Sequence, residues 1–267
     1  MIKRSDTLSL VFIFLAGLLL LFIIAPLAGM FLTTSPVQIF DAAKEPEIRD
    51  SVWLTISASV AATLIFSVAA IPLAYLLAKK KFPLRKLVLG IINIPVIIPH
   101  SAAGIALLGM ISRDTLLGRA SESLGFGFVN SQAGIIVAMA FVSIPYLLNA
   151  AIDGFINVPV HLEKVALTLG ASGTRTFFSI SLPLAWRNIL TGLIMMWGRG
   201  LSEFGAVIII AYHPMVTPVL IYERFNSFGL QYTKPVTVLF ICICLIIFIV
   251  MNLISKKNRN AEIRENK

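Results

Sequence analysis

Apolar residues in this chain gather in long runs rather than at alternating positions, and length more than period identifies the elements. Six runs stand out, at about residues 8 to 33, 52 to 78, 87 to 111, 133 to 152, 186 to 211 and 236 to 255. At ~1.5 Å of rise per residue, each can approach or cross a hydrocarbon layer ~30 Å thick. The pattern predicts an all-α integral membrane protein with six transmembrane helices.

Composition agrees. With 58% hydrophobic and 13% charged residues in 267, the apolar surface exceeds what one soluble core can hide. Lys3 and Arg4 precede the first run as they would in a secretory signal, but the run is about twice the length of a signal's apolar region and lacks a clear small-residue cleavage site. It is expected to be a retained helix.

Basic residues give the orientation. With a cytoplasmic N-terminus, the inner side collects Lys3, Arg4, Lys79, Lys80, Lys81, Arg85, Lys86, Lys164, Arg175, Arg187, Lys256, Lys257, Arg259, Arg264 and Lys267. The outer side keeps only Lys44, Arg49, Arg113, Arg119, Arg224 and Lys234. Both termini are therefore expected in the cytoplasm. Residues 1–51 form a first helix and external loop, 52–255 a five-helix core, and 256–267 a charged tail expected to fray. The net charge of +9 follows from the same flanking residues, with no interleaved aromatics in a soluble domain, so nucleic acid is not an expected partner.

Little here suggests chemistry on the chain itself. Cys242 and Cys244 lie two apart in an apolar run and so on different helix faces. His100, His161 and His213 have no metal spacing, and neither a P-loop, a paired His-Glu zinc motif nor a Gly-x-Ser-x-Gly elbow occurs. Metal, catalytic residue and cofactor are all expected to be absent from the chain.

The most structured interruption of the apolar pattern is "LEKVALTLGASGTRTFFSISLP", inside an inner-side segment from Asp153 to Trp186. That segment is long for a plain connection between antiparallel helices. Leu162, Val165, Ala166 and Leu169 follow the i, i+3, i+4, i+7 spacing of one helix face. Gly170 is placed as a helix stop, Ser172 as a cap for a second short helix, and Pro183 as its end or as a bend into the fifth span. The pattern alone leaves two readings open: an amphipathic helix lying on lipid headgroups, or a knob inserted into a groove on a soluble partner.

This stretch resembles the signature loop of permease subunits of binding-protein-dependent, type I ATP-binding cassette importers. That pattern is Glu-Ala-Ala, three residues, Gly, nine residues, Ile-x-Leu-Pro. Gly170 is followed by nine residues and then Ile180, Ser181, Leu182 and Pro183. Glu163, followed by Lys164, Val165 and Ala166, lies one residue farther from the glycine than the pattern's glutamate. The run "RGLSEFGAVIIIAYHPMVTPVLIYERF" from Arg199 and the run "NIPVIIPHSAAGIALLGM" resemble oxyanion permeases of the molybdate, tungstate and sulfate group. With His100 after Pro99 and the Tyr212-His213-Pro214 loop, the likeness is to archaeal-type molybdate/tungstate permeases.

The resemblance implies a coupling helix that sits in a cleft of an ATPase subunit, with Glu163, Lys164, Ala166, Leu169, Gly170, Ala171, Ile180, Leu182 and Pro183 as its residues. It implies a homodimer, two ATPase subunits that use ATP and Mg, and an external substrate-binding protein docking around residues 34 to 51, 112 to 132 and 212 to 235. Within the spans, Arg199 and Glu203 stand at i, i+4 and can pair on one helix face. An isolated arginine at mid-bilayer costs at least ~2.5 to 3.5 kcal/mol, so such charges face protein or water. Arg199, Ser202, Glu203 and His100 are the candidates for a pathway or gate, and a buried packing role is the alternative for each charged member. A self-sufficient secondary transporter and a membrane enzyme are the readings from other classes. The first would want an intramembrane acid, and Glu203 is the only one within a span.

Overall fold

A computed structural model describes the backbone of residues 4–265 and the side chains of residues 8–251, and among the described residues all regular structure is helical. The helices are α1 (Arg4–Leu32), α2 (Pro36–Lys44), α3 (Pro46–Lys79), α4 (Arg85–Ile97), α5 (His100–Ile111), α6 (Leu116–Ser123), α7 (Gln132–Ile156), α8 (Val160–Thr168), α9 (Gly173–Thr176), α10 (Leu182–Leu201), α11 (Gly205–Ile210), α12 (Thr217–Phe228) and α13 (Leu230–Glu265). Five helical segments are long and apolar enough to cross a membrane: Leu8–Leu32, Pro46–Lys79, Gln132–Ile156, Gly173–Leu201 and Leu230–Met251. A sixth is reached if α4 and α5 count as one span, although they meet at 113°.

Two of the predicted spans are thus not continuous rods. The third breaks at Ile98 and Pro99, where Ile98 is extended (ψ 150°). Proline excludes its predecessor from helical backbone and brings no N–H of its own, so the ladder stops and restarts at His100. The fifth stops at Leu201 and resumes at Gly205. There the Glu203 carboxylate accepts the Ala206 N–H at 2.8 Å, replacing a main-chain carbonyl with a side chain.

Pro183 also departs from expectation. Helix runs from Gly173 through a π turn at Phe177–Ser181 into α10, with Pro183 in its first turn. In the wider turn the Leu182 N–H bonds to the Phe177 carbonyl, five residues back. That shift makes room upstream of a residue that cannot donate and whose ring would strike a carbonyl in α register. At the other end of the chain, α13 carries helical backbone past the predicted span end at 255 to Glu265, with no glycine or proline after Pro235 to stop it.

The chain divides into two compact units, Met1–Arg49 with Ile221–Cys244 and Asp50–Leu220 with Leu245–Lys267. In the first, none of the apolar window of α1 is buried. Ser35 opens α2 with a capping box, taking the Val37 N–H while Gln38 takes the Ser35 N–H. Arg224 Nη2 bonds to Glu45 at 2.6 Å and Glu47 at 2.9 Å. Burial by itself lowers the Arg224 pKa, but hydrogen bonds and charge attraction from the two glutamates outweigh it and hold the guanidinium above its ordinary value.

The second unit is built around α7. Its buried face, including Ile135, Met139, Leu147, Ala151 and Phe155, packs most extensively on α10. Small residues set that distance: a Cβ on Gly192 would fall 2.9 Å from Ala150 Cβ, and one on Gly154 would fall 2.7 Å from Asn188 Cβ. Lipid gives apolar helices no hydrophobic reason to associate, so such close backbone approach is what holds them. Buried hydroxyls add a second link, with Thr55 Oγ1 donating to Thr217 Oγ1 at 3.1 Å and accepting the Thr217 N–H at 2.8 Å.

Candidate functional site

Two places in the second unit answer to the residues singled out by sequence. The first is the loop between α7 and α10. α8 ends in a Schellman motif: the Ala171 N–H reaches the Ala166 carbonyl and the Gly170 N–H the Leu167 carbonyl, both at 3.0 Å. The motif needs left-handed backbone at its pivot, and Gly170 supplies it at φ +86°. Ser172 then caps α9 by accepting the Arg175 N–H at 3.2 Å.

This turn folds α8 back so that its apolar stripe faces the start of α10. Leu162, Val165, Ala166 and Leu169 line one open groove of about 440 Å³ with Ser179, Ile180, Pro183 and Leu184. The two halves of the signature pattern therefore meet in space. Leu169 stands at the rim, 82% exposed, and Lys164 and Gly170 are exposed beside it.

Glu163 does not join that surface. It is buried, accepting the Ser181 hydroxyl at 2.6 Å and facing Lys79 Nζ at 3.1 Å. The extra residue between it and the glycine turns it about 100° from the pattern's glutamate. It fastens the loop from within, and the exposed position is taken by Lys164. Lys79 also donates to the Val158 carbonyl at 3.0 Å, and beneath it Tyr75 stacks edge-on against Phe155 and Phe177, with ring centroids 5.3 and 4.9 Å apart. Sequence reasoning misses Lys79 and Ser181 as site residues. Their signals are faint: one lies in a basic run and the other is the unspecified position of Ile-x-Leu-Pro.

The second place is where the two broken spans meet. Arg199 Nη2 lies 2.7 Å from Glu203 Oε2, and His100 Nδ1 lies 3.1 Å from the same oxygen. Arg199 Nη2 also lies 2.6 Å from His100 Nδ1 and 2.9 Å from Nε2. The Arg199 guanidinium is the donor toward the imidazole, and the ring tautomer decides which nitrogen accepts. Glu203 is wholly buried, but it sits in the break rather than on a helix face shared with Arg199. The pair forms because the backbone turns there. Ser202 is exposed, 3.4 Å from Arg199 Nη1.

Glycine makes this junction possible. A Cβ on Gly205 would fall 2.7 Å from His100 Cβ, and one on Gly104 would fall 2.9 Å from the Ala206 backbone. The cluster combines one guanidinium, one carboxylate and one imidazole, without a nucleophile poised against a base. It suits weak polar contact and helix positioning.

Comparisons with known proteins agree with this geometry. A molybdate/tungstate transport system permease protein of Thermococcus kodakarensis is 39% identical over 259 residues, covering 96% of this chain and 99% of that protein. The one from Pyrococcus abyssi is 46% identical over 204 residues, 76% of this chain and 75% of that one. Sulfate permeases are more distant, one from Synechocystis being 25% identical over 90% of this chain and 87% of its own. Among solved structures, a chain of a bacterial ABC transporter that imports alginate superposes with a TM-score of 0.76 at 18% identity, covering 96% of this chain and 97% of that one. A chain of the MetNI methionine transporter, in an inward-facing form, gives 0.60 at 14% identity over 80% of this chain and 95% of that one. The model of binding-protein-dependent transport system inner membrane components matches residues 70–260. The chain belongs to that family and is a multi-pass permease subunit of the ABC importer type.

Proposed function

We propose that this chain is the transmembrane subunit of an ATP-driven importer for molybdate and tungstate. The observation that carries the reading is the 39% identity to a molybdate/tungstate permease along 96% of the chain. Two copies form the pathway at their interface, and the termini and the α8–α9 loop lie in the cytoplasm, as the basic residues favour. The apolar groove edged by Leu169 and Lys164 receives a separate ATPase subunit, which binds ATP and Mg. An external binding protein delivers the oxyanion, and alternate closure toward either side moves it inward. His100, Arg199, Ser202 and Glu203 lie at or beside this path. A near-neutral cluster suits it, because a pore must hold its cargo weakly enough to let go.

The test is uptake of molybdate and tungstate into vesicles holding this chain, its ATPase and its binding protein. Wild type should accumulate both, while Gly170→Asp should insert and dimerise yet lose uptake together with substrate-stimulated ATP hydrolysis. Uptake without the ATPase, or unchanged uptake in the variant, overturns the reading. The more distant sulfate permeases support a second cargo, so sulfate belongs in the same assay. Preference for sulfate would replace the named substrates without changing the mechanism.

A further inference from the structure

Through its middle the innermost helix of the second unit opens outward at one residue. From Ala133 to Ile152 every residue of α7 is buried or half-buried except Asn149. The exposed group is an amide, and its Nδ2 donates to Asn93 Oδ1 on α4 at 2.7 Å. Asn93 Nδ2 in turn donates to the Leu89 carbonyl at 2.8 Å, one turn back on its own helix. Asn149 keeps its carbonyl oxygen and a second N–H for something outside the chain.

Its depth matters. Asn149 stands roughly 10 Å along the axis from the midpoint of the 133–152 apolar run, within a hydrocarbon layer ~30 Å thick. An amide turned toward lipid at that depth loses hydrogen bonds that hydrocarbon cannot replace, so it belongs against water or protein. The surrounding face of α4 is apolar, with Ile91, Ile94 and Ile97 exposed. The two asparagines form a polar spot on that face, and the exposed Asp153 follows one turn farther along α7.

We propose that Asn93 and Asn149 line the substrate path on the α8 side of the His100, Arg199 and Glu203 cluster, where the exposed amide N–H hydrogen-bonds the passing tetrahedral oxyanion. The proposal rests on the oxyanion-importer reading. Neutral donors are suited to such a path, because they recognise the oxygens of a dianion without holding it as a fixed positive charge would. In a dimer each copy contributes the same pair, giving a symmetric set of donors around one path.

The complete transporter in vesicles provides the test. Asn149→Leu should lower molybdate uptake roughly tenfold, the scale of a lost hydrogen bond to a charged group, while ATP hydrolysis stimulated by the binding protein persists. Asn149→Gln should restore much of the uptake. Asn149→Cys, in a Cys242→Ala, Cys244→Ala background, should react with a membrane-impermeant thiol reagent and react more slowly during molybdate transport. Wild-type uptake with an unchanged leucine variant overturns the proposal, as does a cysteine that stays unreactive. Loss of the dimer in Asn149→Leu also overturns it, because the amide then serves contact between copies. Absence of uptake by wild type counts instead against the importer reading itself.

Discussion

Lys79 Nζ lies 3.1 Å from the Glu163 carboxylate, which fastens the last turn of a long membrane helix to the first turn of the loop helix α8. Lys79 and Glu163 are both largely buried, with side chains 14% and 11% exposed, so their attraction is poorly screened. Removing one partner leaves a charge in a place built for two.

Glu163→Ala should therefore destabilise the protein by about 2 kcal/mol, less than a fully buried pair because Lys79 keeps the Val158 carbonyl. Glu163→Gln should lose less, since its amide oxygen can still accept the Ser181 hydroxyl. Thermal unfolding in lipid nanodiscs measures both; equal losses would show that the Ser181 hydrogen bond contributes nothing, and an undiminished Glu163→Gln would show that the charge contributes nothing.

Gly170 offers a test of backbone without packing. A Cβ there meets nothing within 4 Å, yet the residue sits at φ +86°. Gly170→Ala should cost about 1 kcal/mol and Gly170→Asn less, because asparagine tolerates left-handed backbone. The β-branched Gly170→Val should be worst, and coupled ATP hydrolysis should fall in the same order.

At the junction of the broken spans the prediction concerns space. Gly104→Ala and Gly205→Ala place a Cβ 2.9 and 2.7 Å from neighbouring atoms, an overpacking of about 1 to 3 kcal/mol. Gly17→Ala, with nothing within 4 Å, should leave the melting temperature unchanged or slightly raised.

Arg199→Leu should destabilise by about 3 to 5 kcal/mol, because the wholly buried Glu203 loses its cation. Arg199→Leu combined with Glu203→Leu should recover part of that loss, although the Ala206 N–H then lacks its acceptor. A double-mutant cycle on unfolding midpoints reads the coupling, and strict additivity would exclude a working ion pair.

Features carried by local pattern are the ones open to reading from sequence. The spans announce themselves by length, and the stop at Gly170 and the cap at Ser172 by residue type. The break at Pro99 is half visible, since a proline can kink a helix or interrupt it. The break at 202–204 has no such marker: an acid in a helical run looks like a helix-face residue until its side chain is seen taking the Ala206 N–H. The burial of Glu163 is hidden from sequence for a related reason. Its partners Lys79 and Ser181 are brought to it by the fold, and no spacing within the loop foretells them.

The π turn at Phe177–Ser181 sets a phase between the two sites. It absorbs one residue more than an α turn holds, so drawing the same residues into α register would wind the segment tighter and rotate α10 by about 100° relative to α8. Ile189, Gly192 and Met196, now buried, would swing off their packing surface, and Arg199 would turn away from His100. The widened turn thus keys the groove at one end of α10 to the charged cluster at the other, as a key fixes the angle of a gear on its shaft.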